Sequence, residues 1–189
     1  MRPKTARRWR CSKFLITLNR SRNGIGAEGA LAPASSTSIT RWDLGCNHLA
    51  DVDATALAAS KCIAALDLEH NAIGISGARA LGISTSIVRL DLSDHNVRDE
   101  GASALAANAK ITTLFLEQCG VGNAGAQAPA ASASITEPDL TNNTIERDGA
   151  HALAASTSIT KLNLRWSNID WRAKWVLVDA RSRFEEHVF

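Results

Sequence analysis

The chain is poor in aromatic residues and in cysteine. Its 189 residues contain no tyrosine, and aromatic residues make up only 5%. A core must therefore be built from Leu, Ile and Ala in many small layers rather than around large rings. The four cysteines form no CxxC pair and are too few for a disulfide scaffold. Their scarcity favours a reducing compartment.

Long hydrophobic runs are also missing. The apolar run at 14–18 is shorter than the roughly 7 to 15 residues of a secretory hydrophobic region. No stretch approaches the ~18 apolar residues that a membrane-spanning helix needs. The sequence therefore predicts no signal peptide and no membrane span.

Charge is divided unevenly along the chain, although the net charge is only +2. Residues 1–22 contain eight Lys or Arg and no acid, so the remaining 13 basic and 19 acidic residues leave the rest of the chain at about −6. A basic segment of this kind can dock on nucleic acid or on an anionic membrane. Because Trp9 is the only aromatic residue inside the basic cluster at 2–13, a solvated arm is favoured over a nucleic-acid-binding segment.

A 24-residue unit recurs along the chain. Its consensus is L-x-L-x-x-N-x-I-G-x-x-G-A-x-A-L-A-x-x-T-S-I-T-x, and the register does not slip. The seven copies open at Leu18, Trp42, Leu66, Leu90, Leu114, Pro138 and Leu162. In each, L-x-L predicts a short strand with its leucines on one face. The Asn that follows lies where the chain turns inward and can satisfy backbone groups there, giving a ladder of stacked Asn side chains (Asn23, Asn47, Asn71 and Asn143).

The second half of each unit predicts a short helix, since Ala, Ala and Leu recur there at helical spacing. One unit cannot bury its apolar face alone, so stacked neighbours must share one core. The sequence therefore predicts an α/β solenoid of seven repeats, a horseshoe with parallel strands on the concave side and short helices on the convex side. We expect a basic tail at 1–17, the solenoid at 18–177 and a cap segment at 178–189.

Several positions depart from the repeat. Pro33 and Pro129 replace the leucine of the helical segment, and Pro138 replaces the first leucine of a strand. We expect each proline to shorten its helix or to remove a backbone donor from its strand. Asp53 replaces the glycine at a helix entry, and Arg20 replaces a strand leucine in the first copy. These departures are typical of a repeat array whose copies have diverged from their consensus.

The C-terminal segment from Trp171 to Phe189 leaves the repeat pattern altogether. Its apolar residues predict a cap helix over the last core layer, with Trp171 and Trp175 in the core rather than in a binding site. The other apolar residues of this segment are Val176, Val178, Phe184 and Val188. His187 has no partner that the sequence can supply.

The unit resembles the leucine-rich repeats of the ribonuclease-inhibitor-like class, and its G-A-x-A-L-A phrase is similar to the GALA-type repeats of bacterial effector proteins from plant pathogens. The resemblance covers residues 18 to about 177. It implies a cytoplasmic protein, or one delivered into a host cell. The GALA proteins that recruit ubiquitin ligases carry an F-box ahead of the repeats, and the 17 residues here are too few for one. We therefore do not expect that activity.

One column of residues has the composition of a reactive site. Cys46, His70 and Asp94 hold the same position in three successive units, about 5 Å apart at the spacing of parallel strands, with His48 and His95 near them. Cys, His and Asp are the components of a thiol nucleophile and also suit zinc. The position should be solvent-facing, however, with no pocket around it. We therefore expect no catalytic residue, no metal site, no cofactor and no enzymatic activity.

The outward positions of the strands remain as the candidate binding surface. Phe115 is the only aromatic residue among them, at a position where four other copies carry Asp, and we expect its ring to be exposed among acids. Protein interfaces concentrate their energy in aromatic and Arg anchors. The sequence therefore predicts a monomer that binds an unidentified protein partner through a site formed by Arg89, Asp91, Phe115, Glu117 and Asp139.

Three alternatives stay open at this point. The chain could be a structural or vestigial array without a partner, in which Phe115 is random drift. The aspartates that hold the position of Phe115 in the other copies could form a solvated face only. Nucleic acid could dock on the basic tail.

Overall fold

The computed structural model describes residues 17–19, 21–24 and 26–180. Within these residues, six short strands alternate with helices, and a seventh helix follows the last unit. The strands are β1 (Thr17–Asn19), β2 (Arg41–Asp43), β3 (Ala65–Asp67), β4 (Arg89–Asp91), β5 (Thr113–Phe115) and β6 (Glu137–Asp139). The helices are α1 (Gly26–Ser35), α2 (Asp51–Ala58), α3 (Ile75–Gly82), α4 (Arg98–Ala106), α5 (Asn123–Ala131), α6 (Arg147–Ala155) and α7 (Trp171–Ala180).

Some of the predictions fall outside the described residues. These are the basic tail at 1–16, the departure at Arg20 and the C-terminal residues Phe184, His187 and Val188. The division of the chain at 17 and 177 stays a prediction. In the described part, α7 runs continuously across the second of these boundaries.

The strands form one parallel sheet in chain order. Each central residue pairs with the residue 24 positions later, as Leu66 does with Leu90 and Leu90 with Leu114. The predicted strand positions are confirmed for the first six units, and a helix follows each strand. Parallel strands alternating with helices fit an α/β repeat solenoid. Among the described residues, no helix is both long enough and apolar enough to cross a membrane.

The seventh unit pairs with β6 at a bridge between Asp139 and Asn163, with backbone hydrogen bonds on either side of it. Alternate residues of a parallel strand donate to the same neighbour. The backbone N–H of Leu140 donates to the carbonyl of Asn163 at 2.9 Å, so the preceding donor in that direction is residue 138. Proline has no N–H to give there. The return bond, from the N–H of Asn163 to the carbonyl of Pro138, is long at 3.4 Å. The predicted loss of a strand donor at Pro138 is confirmed.

The core lies between the sheet and the helices and runs through every described unit. The inward strand leucines are completely buried, and so are the leucines of α2, α3, α4 and α6. The glycine of the G-A pair is needed for this close packing. A Cβ on Gly101 would lie 2.5 Å from Cγ1 of Val97 and 3.0 Å from Cβ of Ala78 in the preceding unit.

The expectation that proline shortens the helices is wrong. Pro33 lies inside α1, and Pro129 lies inside α5, which has nine residues like α4 and α6. Proline at 129 removes one intrahelical hydrogen bond. Because α5 packs against both neighbouring helices and Pro129 is itself buried, tertiary packing outweighs that loss.

The reading of Asp53 as a damaging departure is also wrong. Its side chain is only 3% exposed, and its Oδ2 accepts the backbone N–H of Ala50 at 2.8 Å. Asp53 therefore satisfies one of the unpaired donors at the start of α2 and favours the helix dipole there.

Candidate functional site

The predicted Asn ladder is confirmed on the buried side of the turn. The Nδ2 of Asn143 donates to the carbonyls of Leu116, Leu140 and Thr141 at 2.7 to 3.0 Å. Its Oδ1 accepts the N–H groups of Cys119 and Val121 in the preceding unit. Asn71 bonds its neighbours in the same way. Each ladder residue thus ties two adjacent units together.

His95 and Cys119 take the place of Asn in this ladder. The Nδ1 of His95 donates to the carbonyls of Leu92 and Ser93, and its Nε2 accepts the N–H of Asn71 at 3.2 Å. Burial lowers the pKa of His95, so the ring stays neutral.

The thiol of Cys119 donates to the carbonyl of Leu92, with an Sγ–O distance of 2.9 Å. Burial raises the pKa of Cys119 to about 12, which keeps it from acting as a thiolate nucleophile. Ser167 continues the ladder in the last unit with a long bond to Leu140.

A second ladder, which the sequence analysis missed, ties the helix starts together. The Oδ1 of Asp51 accepts the N–H of Gly74 at 2.7 Å. Two repeats later along the chain, Asp99 accepts the N–H of Gly122 at 2.6 Å. Asn123 accepts the N–H of Glu146 and that of Gly149. The series is interrupted at Ile75 and ends before Arg147, and the presence of Asp or Asn at this position in three units was the signal that could have revealed it.

The column of Cys46, His70 and Asp94 lies in the left-handed region of backbone space, with φ between 55° and 62°. The Nδ1 of His70 is 3.3 Å from Oδ2 of Asp94, and His70 is exposed. The expectation that no pocket surrounds this column is wrong, because an open depression of about 640 Å³ adjoins it. His95, by contrast, is held in the Asn ladder. No cluster of three or more metal-ligating side chains occurs in the part of the chain that the structure describes.

The outward positions of the strands, here called the strand face, form three columns. They are represented in one unit by Arg89, Asp91 and Ser93. The aspartates of the middle column, here called the Asp column, have a role in the fold: each Oδ1 accepts the backbone N–H two residues later, at 2.9 Å for Asp91 and 2.9 Å for Asp139. The same bond forms at Asp43 and Asp67. The reading of these residues as merely a solvated face is therefore wrong.

Phe115 interrupts the Asp column, and its ring cannot accept that hydrogen bond. It lies between Asp91 and Asp139 in the sheet, as predicted. The ring is half-buried rather than fully exposed, which corrects the expectation from sequence. The guanidinium carbon of Arg89 lies 4.3 Å from the ring centroid, a cation–π contact. Arg89 and Phe115 therefore form one unit on the strand face.

The acids of the strand face are poorly compensated. Burial raises the pKa of Asp67 and of Asp91, and neighbouring carboxylates raise both further. The pKa of Glu117 is raised in the same direction, first by burial and then by Asp139 and other acids. For Asp67 and Asp91 these effects outweigh the backbone N–H groups and Arg89, which lower the pKa of both, so the ionised forms are disfavoured on balance.

A cavity of about 400 Å³ opens on the other side of Phe115. The ring of Phe115 supplies its apolar wall, and Pro138 and Leu162, whose side chains are buried, lie at its base. Its polar rim contains a Glu137–Lys161 ion pair at 3.5 Å and a hydrogen bond from Nδ2 of Asn163 to Oδ2 of Asp139. The structure thus brings the predicted site residues together and adds the seventh unit to them. Sequence alone did not predict a cavity there.

The tryptophans of the C-terminal segment are not in the core. Trp171 is 66% exposed and Trp175 is 67% exposed, so the prediction that they are buried is wrong. The helix α7 does pack on α6, but it buries Ala173, Leu177 and Ala180 instead. Trp171 and Trp175 lie four residues apart on the opposite side of that helix.

Comparison with known proteins bears on the repeat. Three consecutive segments, residues 35–58, 59–82 and 84–106, match the family model of the leucine rich repeat. A comparison with curated proteins found no match. Each matched segment contains one strand of the parallel sheet and the helix that follows it, from β2–α2 to β4–α4. The matched segments are thus similar to leucine-rich repeats, and the sheet keeps the same 24-residue register beyond them.

Proposed function

We propose that the strand face binds another protein through Arg89, Asp91, Phe115, Glu117 and Asp139. Leucine-rich repeats commonly mediate protein–protein interaction, and their curved sheets offer large binding surfaces. Such domains are generally binding modules, so the proposal includes no reaction, no metal and no cofactor.

The single observation that carries the proposal is the pair formed by Phe115 and Arg89. In the other units, the residue at this position accepts a backbone hydrogen bond that the strand end needs. Phe115 gives up that bond and places an aromatic ring and a guanidinium side by side on the surface. Aromatic and Arg side chains are the ones that most often dominate interface energies.

The finer features of the proposal come from the repeat pattern. We propose seven repeats curved into a horseshoe of the ribonuclease-inhibitor-like class, with the strand face concave and the chain monomeric. The similarity of the G-A-x-A-L-A phrase to GALA-type repeats extends the proposal to an effector-like protein acting in the cytoplasm, or in that of a host cell.

The experiment is capture of a partner by the intact chain and by two variants. Phe115→Asp restores the residue of the other units and removes the aromatic anchor. Ile83→Asp makes the same kind of change at an exposed site on the helix side and serves as the matched control. We expect the Phe115 variant to bind the partner more than tenfold more weakly than the parent, and the control to bind it as the parent does.

The opposite result rejects the site. If the partner binds the Phe115 variant within threefold of the parent, the strand face around Phe115 is not where it binds. If neither variant nor parent retains any specific partner, the chain is a structural or vestigial array. Circular dichroism of both variants checks that the fold is kept.

A further inference from the structure

The strand face carries charge that its own residues do not neutralise. Among the described residues, Asp67, Asp91 and Glu117 have no Lys, Arg or His nitrogen within ion-pair distance. Arg89 covers the ring of Phe115 and offsets the charges of Asp67 and Asp91 only in part, because the pKa of both remains raised. Lys161 pairs with Glu137. The raised pKa values of all three acids agree with this geometry.

A second, independent observation is the hydroxyl of Thr141. This residue follows Leu140, whose side chain is in the core, so Thr141 lies on the strand face beside the position of Glu117. It is only 7% exposed, and its Oγ1 has no hydrogen-bond partner among the described residues. A buried hydroxyl without a partner is costly, and the side chain of Thr141 would have to turn toward the surface for a ligand group to satisfy it.

The cavity beside Phe115 supplies the third feature. Phe115 supplies an apolar wall, and the rim carries the Glu137–Lys161 ion pair, Asp139 bonded to Asn163, and Arg165, which makes no ion pair with another described residue. A cavity of about 400 Å³ is large enough for one bulky apolar side chain. The face is thus negative on one side of Phe115, and on the other side the ring borders a cavity with a rim of mixed charge.

These features select among possible occupants. A second copy of this chain, packed face to face, would place the same acids against each other. An acidic partner would be repelled in the same way. A cationic segment would be attracted, because Lys and Arg combine a positive end with an apolar stem that fits a half-buried surface.

We propose that the segment bound by the strand face is basic and extended, with Lys or Arg side chains against Asp67, Asp91 and Glu117 and one apolar side chain in the cavity beside Phe115. This inference rests on the proposed function and names the chemistry of its partner. The distance from Asp67 to Asp139 is three strand spacings, roughly 14 Å, so about five extended residues cover it.

The test uses three synthetic peptides of about ten residues and the full chain, with affinity measured by calorimetry. The first peptide alternates Lys with Thr and has one Leu near its end. The second replaces every Lys with Glu, and the third replaces the Leu with Ser. We expect the first to bind with a Kd below about 1 mM and the other two to bind at least tenfold and threefold more weakly, respectively.

Variants of the full chain then locate the binding. Asp67→Asn with Asp91→Asn keeps the side-chain oxygens that accept backbone N–H groups and removes two charges. We expect this double variant to bind the first peptide severalfold more weakly, and added salt to weaken the binding of that peptide to the parent in the same way. Glu100→Gln, on the exposed side of α4, is the matched charge control and should change nothing. In Phe115→Asp, the advantage of Leu over Ser should disappear.

The results separate this inference from the proposed function. Equal or tighter binding of the Glu peptide, no binding of any peptide, or equal effects of the face variant and Glu100→Gln would each overturn the inference. A captured protein partner that is lost by Phe115→Asp but is insensitive to salt and to the double Asn variant would leave the strand face as the site and reject a basic segment. A partner insensitive to Phe115→Asp would reject the site itself.

Discussion

The two sides of each strand end respond differently to substitution. On the buried side, His95 and Cys119 replace Asn, yet both still donate to the carbonyls that the ladder must satisfy. On the strand face, Phe115 replaces Asp and the hydrogen bond of that column is lost. Residues in the ladder are thus exchanged under the constraint of backbone satisfaction. Phe115 satisfies no backbone group in this way, so we infer that its role is in binding rather than in folding.

The largest expected effect is in the ladder. Asn143→Leu keeps the volume of the side chain but leaves three carbonyls and two N–H groups of the turn without their partner. We expect a loss of about 3 kcal/mol in the free energy of unfolding, measured by urea denaturation. Asn168→Ala, at an exposed position, is the control. A loss below about 1 kcal/mol would show that the ladder is not what joins the units.

A gain of stability is expected at Pro138. Pro138→Leu returns a backbone N–H that can donate toward the seventh unit and complete its pairing, and it restores a core leucine. We expect a gain of roughly 1 to 3 kcal/mol, with a further gain from Pro129→Leu in α5. Thermal melting of the single and double variants measures both. If the double variant melts no higher than the parent, the alignment of the repeats at these positions is wrong.

Much of this fold could be predicted because the same pattern of residues recurs in every repeat. A step of 24 residues fixed the strand positions and the neighbours of Phe115, and the Asn ladder followed from the need to satisfy an inward turn. The helices at Pro33 and Pro129 were mispredicted because local propensity was given more weight than packing between neighbouring helices.

The candidate site was harder to predict than the fold. The Asp column and Asp53 were misread because their function is a hydrogen bond to a specific backbone N–H, which composition does not reveal. The exposure of Trp171 and Trp175 depends on which side of α7 meets α6, and the small residues on its other face decide that. The cavity beside Phe115 lies between side chains of three neighbouring units, and a repeat pattern gives their register but not the space between them.

A smaller effect is expected from removing one charge in the Asp column. Asp91→Asn retains an oxygen for the N–H of Ser93 and removes a carboxylate whose pKa is raised by burial. A raised pKa means that the folded state binds the proton more tightly, so the contribution to stability is present below the ordinary pKa and is lost as pH rises through the folded value. The variant should therefore be more stable than the parent at pH 7 by a few tenths of a kcal/mol, and the difference should vanish near pH 3. Urea denaturation at both pH values measures it, and a parent that is more stable at neutral pH would contradict it.

The smallest effect on folding is expected at Phe115, where the largest effect on binding is proposed. Phe115→Asp gains an acceptor for the N–H of Glu117, as in the neighbouring units, but it loses the half-buried ring and the contact with Arg89. The new carboxylate also lies between Asp91 and Asp139 and is repelled by both. Because these terms oppose each other, we expect the free energy of unfolding to change by less than about 1 kcal/mol. Phe115→Leu separates the terms, since it keeps an apolar side chain and adds no charge. If Phe115→Asp instead unfolds the chain while Phe115→Leu does not, an apolar side chain at 115 is needed for folding because it separates the acids of the Asp column. The contrast between the ladder and the strand face would then not hold.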